Sequence, residues 1–391
     1  MSKAAQKLPR IRLGMVGGGE GAFIGAVHRI AARLDDEFEL VAGALSSTPE
    51  KARRSGAALG LAPERSYDSY EQMAAAEAAR DDGIEAVVIV TPNHVHAPAA
   101  KAFLKAGIHV ICDKPVTVRS ADARALQKLA RQQGLVFAVT HNYSAYPMVR
   151  VARQMVQSGR LGEVRVVQAE YPQDWLAEPL EQGGQKQAAW RTDPAQAGGG
   201  AIGDIGSHAW HLADYVTGLP LAQVCAELSS FVPGRAVDDN AQVLLRYASG
   251  ARGAIWASQV APGHLNDLRL RVYGSRGGLS WSQEQPNQLL FTPLGQPTQV
   301  LERAGAQFDA AGIRVARIPG GHPEGYLEAF ASLYTEIAQQ LRAARKGGRK
   351  PDKACHFPTI DDGLRGVEFI EAVQRSSRQG GRWVALPAAS A

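Results

Sequence analysis

Ile11-Arg12-Leu13-Gly14-Met15-Val16-Gly17-Gly18-Gly19-Glu20-Gly21-Ala22 is the stretch on which the fold of this chain turns. A short apolar run over 12–16 ends in glycine. A segment with helical spacing follows over 23–34, with Ile24, Val27, His28, Ala31 and Leu34 recurring on one face. Gly17, Gly19 and Ala22 match the spacing of the dinucleotide fingerprint in its G/A form. Small residues are needed there because the chain turns tightly and the backbone must approach a pyrophosphate. The helix that follows then aims its first N–H groups at that charge. Taken alone, such a cluster is a weak signal, since a tight turn needs the same glycines.

The surrounding pattern decides for the nucleotide site. Strand-like runs at 38–45, 86–90, 110–112 and 136–140 alternate with helical segments at 49–59, 69–80, 97–105 and 121–133. Short apolar strands separated by helices predict a parallel sheet covered on both faces, a doubly wound Rossmann α/β domain. After about residue 145 the pattern changes. A helix at 148–158, a strand at 164–171, a long loop to about 200 and a helix at 207–217 precede β-rich runs at 222–231, 240–247, 252–259, 268–273 and 278–281. Helices at 326–345 and 360–379 close the chain. The second part therefore reads as α+β with a mostly antiparallel sheet, and the expected division is 1–145 and 146–391.

The end of the second strand commonly carries an acid that accepts from the adenosine ribose. Here Ala44-Leu45-Ser46-Ser47-Thr48-Pro49-Glu50-Lys51 puts none at that point. Ser46 and Ser47 are small and polar, and Lys51, Arg53 and Arg54 follow, so the site can admit a 2′-phosphate. NAD(P)(H) is the expected cofactor, with a slight preference for NADP(H). Thr91-Pro92-Asn93 follows the third strand, where Asn93 can reach the nicotinamide-side ribose or cap a helix. His94 and His96 are two apart and have no third ligand nearby, so no metal site is expected.

Asp113-Lys114-Pro115 follows the fourth strand, and Gly198-Gly199-Gly200-Ala201-Ile202-Gly203-Asp204-Ile205-Gly206-Ser207-His208 lies far downstream. In a helix Asp204 and His208 share one face. Oxidising an alcohol needs a hydride acceptor and a group that takes the hydroxyl proton. Lys114 can stabilise charge on the reacting oxygen, and His208 is suited to proton transfer near neutral pH. Asp204 can orient His208 or hold a second substrate hydroxyl. Each residue also has a plain structural reading: a turn lysine, a helix cap, a satisfied histidine.

Gly17–Ala22, Thr91–His96, Asp113–Pro115 and Gly198–His208, in this order, resemble the motifs of the Gfo/Idh/MocA oxidoreductases (glucose-fructose oxidoreductase, inositol dehydrogenase and relatives) over nearly the whole chain. The resemblance implies a Rossmann domain, a second domain with a large open sheet, and homodimers or homotetramers built through that sheet. It implies that Lys114, Asp204 and His208 are catalytic. It also implies that Thr91, Asn93, His96, Asp113 and Lys114 line the cofactor. Asn142 and Tyr143, at the end of the last strand, and Trp190-Arg191 are expected to meet a polyol or sugar substrate with His208. The chain departs from the family pattern in three places: Asp113 replaces a glutamate, residues are inserted before Gly25-Ala26-Val27-His28, and the second-strand acid is missing.

The 391 residues are 45% hydrophobic and 21% charged, ordinary values for a chain of about two globular domains. The formal charge is +5 and its basic residues are scattered, apart from a run at 342–353 read as a solvated surface, so no nucleic-acid partner is expected. Three distant cysteines suit a reducing compartment, and no apolar run is long enough for a membrane span, so a cytoplasmic location is expected. Two other functions remain open at this point: a glycosidase of the same fold using tightly held NAD, and a non-catalytic sugar or dinucleotide sensor.

Overall fold

The computed structural model describes residues 8–305, 310–345 and 355–387. Most of the basic run at 342–353, and the tail beyond 387, lie outside the described residues. The first part of the chain runs β1 (Ile11–Gly17), α1 (Phe23–Leu34), β2 (Phe38–Ala44), α2 (Pro49–Ala58), α3 (Tyr70–Ala78), β3 (Ala86–Val90), α4 (Asn93–Lys105), β4 (His109–Cys112), α5 (Ser120–Gln133) and β5 (Phe137–Val139). The five strands form a parallel sheet in the order β2-β1-β3-β4-β5. Chain order reverses between β1 and β3, and ligands of such sheets bind in the crevice at that switch point, beyond the carboxyl ends of the strands. β3, Ala86-Val87-Val88-Ile89-Val90, is buried along its whole length, as its β-branched run requires of a central strand.

The second part continues with α6 (Pro147–Gln157), β6 (Val164–Pro172), α7 (Lys186–Arg191), α8 (Pro194–Ala197), a π-helical turn (Ile202–Gly206), α9 (Ser207–Thr217) and β7 (Leu221–Ser229). Then come β8 (Asn240–Tyr247), β9 (Arg252–Ser258), β10 (Arg269–Gly274), β11 (Gly277–Ser282), β12 (Gln288–Pro293) and β13 (Gln299–Glu302). The chain ends with α10 (Ala310–Ile313), α11 (Tyr326–Arg345), α12 (Ile360–Arg378) and β14 (Val384–Ala385). Nine strands make one open sheet, β13-β12-β11-β10-β6-β9-β8-β7-β14, antiparallel except where β6 meets β9. One face is packed: Val167, Val243, Ile255, Leu270, Leu279 and Leu289 are all buried there.

Three details differ from the sequence reading. The helix expected to start at residue 97 starts at Asn93 and passes through Pro98, forgoing one backbone bond. The segment read as a long loop contains α7 and α8, too short to show a helical period. β12 and β13 extend the sheet past the runs recognised in sequence.

The last segments return to the first sheet. Val139 N–H donates to Pro358 O at 2.8 Å, and Glu371 on α12 accepts from both the backbone N–H and the hydroxyl of Ser120 at 2.7 Å. Arg317 and Thr335 both donate to Asp35, just past α1. The two sheets are thus tied together at sites far apart in sequence.

The glycine turn after β1 makes one demand the fingerprint spacing misses. Gly17, Gly18 and Gly21 have φ of 79°, 72° and 76°, a region that favours glycine. The close approach between turn and helix is made by Gly25, whose Cβ, were it present, would lie 2.4 Å from Gly18 Cα. Ala22 is the residue preceding α1 and not its packing contact. A Gly25→Ala variant should therefore lose about 1–3 kcal/mol of stability through overpacking. Chemical denaturation checks this; an unchanged midpoint would show that the turn yields freely.

Candidate active site

The carboxyl ends of β1, β3 and β4 converge. A Cβ on Gly17 would fall 2.9 Å from Thr91 Cγ2, so the glycine turn and the Thr91 turn touch. α1 begins with no side-chain cap and no acid in its first turn, leaving its first N–H groups free of protein side chains. By contrast, α3 is capped by Ser69 and α12 by a Thr359–Asp362 capping box. Positive-φ glycines, an uncapped helix start and an orphaned buried Thr91 hydroxyl fit a dinucleotide pyrophosphate and ribose.

Lys114 extends from the end of β4 to the second part of the chain. Its Nζ donates to the Asp204 main-chain oxygen and, at 3.2 Å, to Asp204 Oδ1. The other carboxylate oxygen accepts from Gln259 at 2.9 Å and lies 3.3 Å from Arg191 Nε. Burial pushes the Asp204 carboxyl up, but Lys114 and Arg191 outweigh it and hold it below the usual carboxylate range. Asp204 and His208 are brought to the same crevice, but Asp204 does not orient His208, an alternative the sequence left open. The cause is local: Ile202–Gly206 is a π-turn, and its carboxylate is turned to the two cations.

His208, on the first turn of α9, is bordered by rings. Tyr143 meets it edge-on at 4.8 Å, His141 at 5.8 Å and Tyr171 at 6.1 Å. Burial, then the nearby Lys114 ammonium, push its pKa well below the ordinary histidine value. Burial raises the phenols of Tyr143 and Tyr171 above the ordinary tyrosine value.

The remaining expected site residues fall into two groups. Ser46 and Lys51 are half-buried and Ser47 exposed beside the glycine turn. Trp190 and Arg191 stand at the crevice with Trp175, the Arg191 guanidinium lying 4.3 Å from the Trp190 ring and 5.8 Å from that of Trp175. Asp113 sits behind Lys114. Burial raises its carboxyl, but His28 and a 2.5 Å bond from Thr140 reverse this and hold it low.

Four further expected residues are buried and mostly engaged within the protein. His96 is fully buried, with both ring nitrogens 2.9 Å from carbonyl oxygens, of Pro115 and Thr91. It can act on a cofactor only by holding those two turns. Asn93 is not the cap of α4; its amide donates to Ala197 O at 2.9 Å. Asn142 is 1% exposed and Tyr143 3%, and the Asn142 amide nitrogen has no hydrogen-bond partner among the described residues.

The preference for NADP(H) also loses support. Arg53 binds Asp68 through two nitrogens and Arg54 binds Glu20, which leaves Lys51 of the three basic groups invoked.

Sequence reasoning missed Gln259, Tyr171, Gln173 and Asn266. Tyr143 and Tyr171 hydroxyls lie 2.6 Å apart, and Asn266 Oδ1 accepts from Tyr171 at 2.6 Å and from Gln173 at 2.7 Å. Strand ends and loops from distant parts of the chain carry these residues, so no local pattern marks them.

A Rossmann sheet with such a crevice, closed by an open antiparallel sheet, defines a nucleotide-dependent oxidoreductase. Comparison with known proteins makes the class specific. Residues 11–141 match the model of the oxidoreductase family with an NAD-binding Rossmann fold. Residues 149–280 match the GFO/IDH/MocA C-terminal domain. An uncharacterised oxidoreductase of Bacillus subtilis, YfiI, is 36% identical over 380 residues, 96% of each chain. A solved oxidoreductase from Sinorhizobium meliloti is 55% identical, with TM-score 0.88, over 96% of this chain and 100% of that one. An inositol dehydrogenase homologue from Azotobacter vinelandii, solved with NADH and myo-inositol, is 37% identical, with TM-score 0.91, over 96% and 97%. The chain belongs to the GFO/IDH/MocA family and is an NAD-binding oxidoreductase.

The His208 environment has a direct consequence in pH. A histidine with an unperturbed pKa near about 6.5 would be half-protonated there. Because burial and Lys114 lower the value, His208 stays neutral as pH falls through that point. NMR titration of the imidazole should give a midpoint clearly below 6.5, moving upward in Lys114→Met. A midpoint at or above 6.5 in the parent would contradict the geometry.

Proposed function

We propose that this chain is a dehydrogenase that moves a hydride between a ring CH–OH carbon of a sugar, cyclic polyol or sugar derivative and NAD(P)(H). One observation carries the reading: Lys114, Asp204 and His208 meet in one crevice, at the switch point of a sheet whose glycine turn fits a dinucleotide. Bound nicotinamide dinucleotide supplies the hydride acceptor. Residues 1–145 hold it, with Gly17, Gly19, Ser46, Ser47, Lys51 and Thr91 nearest, and residues 146–391 hold the substrate.

In the oxidation direction the neutral His208 imidazole takes the hydroxyl proton. The Lys114 ammonium, kept in position by the Asp204 carboxylate and main-chain oxygen, stabilises negative charge developing on the same oxygen. Trp175 and Trp190 offer flat faces for a sugar ring, and Arg191, Gln259, Gln173 and Asn266 supply hydrogen-bonding groups for further hydroxyls. The inositol dehydrogenase homologue crystallised with NADH and myo-inositol supports this substrate class.

The outer face of the large sheet supports association of copies. Register brings Val300, Leu290, Leu244, Val166 and Tyr273 to that face, and all five are exposed. We read it as the surface of a homodimer or homotetramer. Three cysteines far apart in the sequence suit a cytoplasmic setting.

The decisive experiment is a panel of cyclic polyols and sugars offered with each dinucleotide and followed at the nicotinamide absorbance. Reduction with at least one cyclic polyol or sugar is expected; silence across the panel would leave the binding-protein reading in its place. On a responsive substrate, Lys114→Ala should lower turnover by at least about 10²-fold while dinucleotide binding persists. Near-normal turnover in the folded variant would remove Lys114 from the chemistry.

A further inference from the structure

We propose that Glu20 sets the choice between dinucleotides with and without a 2′-phosphate, its carboxylate standing in for the acid that the end of β2 lacks. The inference rests on the dinucleotide reading above and adds a residue to it. In doubly wound sheets the acid at the end of the second strand accepts from the ribose hydroxyl and repels a phosphate placed there. Leu45-Ser46-Ser47-Thr48 supplies none.

The glycine turn is fastened to that strand end. Gly19 N–H donates to Leu45 O at 3.2 Å, and a Cβ on Gly19 would lie 2.5 Å from the same oxygen. The next residue, Glu20, donates its N–H to the Ser55 hydroxyl on α2 at 3.1 Å. Its backbone is therefore clamped between the turn and α2. From there the Glu20 carboxylate crosses to Arg54, whose Nη2 donates to Oε2 at 3.0 Å. Glu20 and Arg54 are both exposed, so an incoming ribose can reach the pair.

The chemistry follows from charge. A ribose 2′-hydroxyl can donate to the Glu20 carboxylate without disturbing Arg54. A 2′-phosphate brings about two negative charges and must face that carboxylate. It must also draw Arg54 away from Glu20, since Arg53 is already bound to Asp68 through Nε and Nη2 and leaves Lys51 as the one remaining basic group of the three. The chain should therefore prefer NAD(H). Exposed ion pairs contribute little to folding, so replacing either partner should change ligand choice and leave the fold intact.

Calorimetric titration with ADP-ribose and with 2′-phospho-ADP-ribose tests this without requiring turnover. The parent should bind ADP-ribose more tightly. Glu20→Gln should move the affinity ratio toward the 2′-phosphate ligand by about tenfold at low salt, and the shift should shrink as salt is added. Adding Arg54→Ala to Glu20→Gln should reverse it, because the freed guanidinium is what then meets the phosphate. If Glu20→Gln binds both ligands but with the parent's ratio, the assignment of Glu20 is overturned. If the parent binds neither ligand, the dinucleotide reading itself fails and this inference with it.

Discussion

The contact between Lys114 and Asp204 is the point on which the active crevice depends, because it is made between parts of the chain that belong to different sheets. Lys114 comes from the end of a strand in the five-stranded sheet, and Asp204 from a turn leaning on the nine-stranded one. Neither charge would be tolerable alone at that depth. A buried ion pair that loses one partner typically costs about 3–5 kcal/mol, since the other charge is left uncompensated. Here the carboxylate is shared by Lys114, Arg191 and Gln259, and the ammonium also has the Asp204 main-chain oxygen. The result is a cation held beside a neutral imidazole, with few other ways for either group to relax.

The turn that carries Asp204 is itself held from behind. The Asp238 carboxylate accepts from Gly200 N–H at 2.9 Å and from Ile202 N–H at 2.8 Å, and a Cβ on Gly200 would lie 1.7 Å from Asp238 O. A side chain at that position could not be accommodated without moving the turn. The same device, backbone pressed against backbone at a glycine, holds α1 against the nucleotide turn at Gly18 and Gly25. Both halves of the site are thus positioned by contacts that only glycine permits.

Buried histidines divide the labour around this frame. His96 bridges the Thr91 and Pro115 carbonyls, and His28 lies 2.8 Å from the Tyr334 hydroxyl and 3.8 Å from Asp113. His141 stacks on His211 with centroids 4.1 Å apart, and burial holds both well below the ordinary histidine range. Of the histidines around the crevice, His208 combines partial exposure, a neighbouring cation and a place beside the polar network of Tyr171 and Asn266. The others hold the pieces in register or surround it.

Local pattern alone was enough for the doubly wound sheet, for the antiparallel character of the second part and for the family, because these follow from periodicity and from short motifs whose spacing is dictated by backbone geometry. Lys114, Asp204 and His208 could be picked out for the same reason. What pattern could not supply was who faces whom. Asn93, His96, Asn142 and Tyr143 carry the right chemistry at the right strand ends, but their burial and internal partners, such as Ala197 for Asn93, are set by the packed structure. Gln259 and Asn266 belong to the crevice with no motif at all, since loops are placed by the strands they join. Sequence left Asp204 to orient His208 or to hold a substrate hydroxyl, and the structure gives it to Lys114 instead. The choice fell to the π-turn and to Arg191, because a carboxylate in a low-dielectric crevice goes to the cations that can reach it.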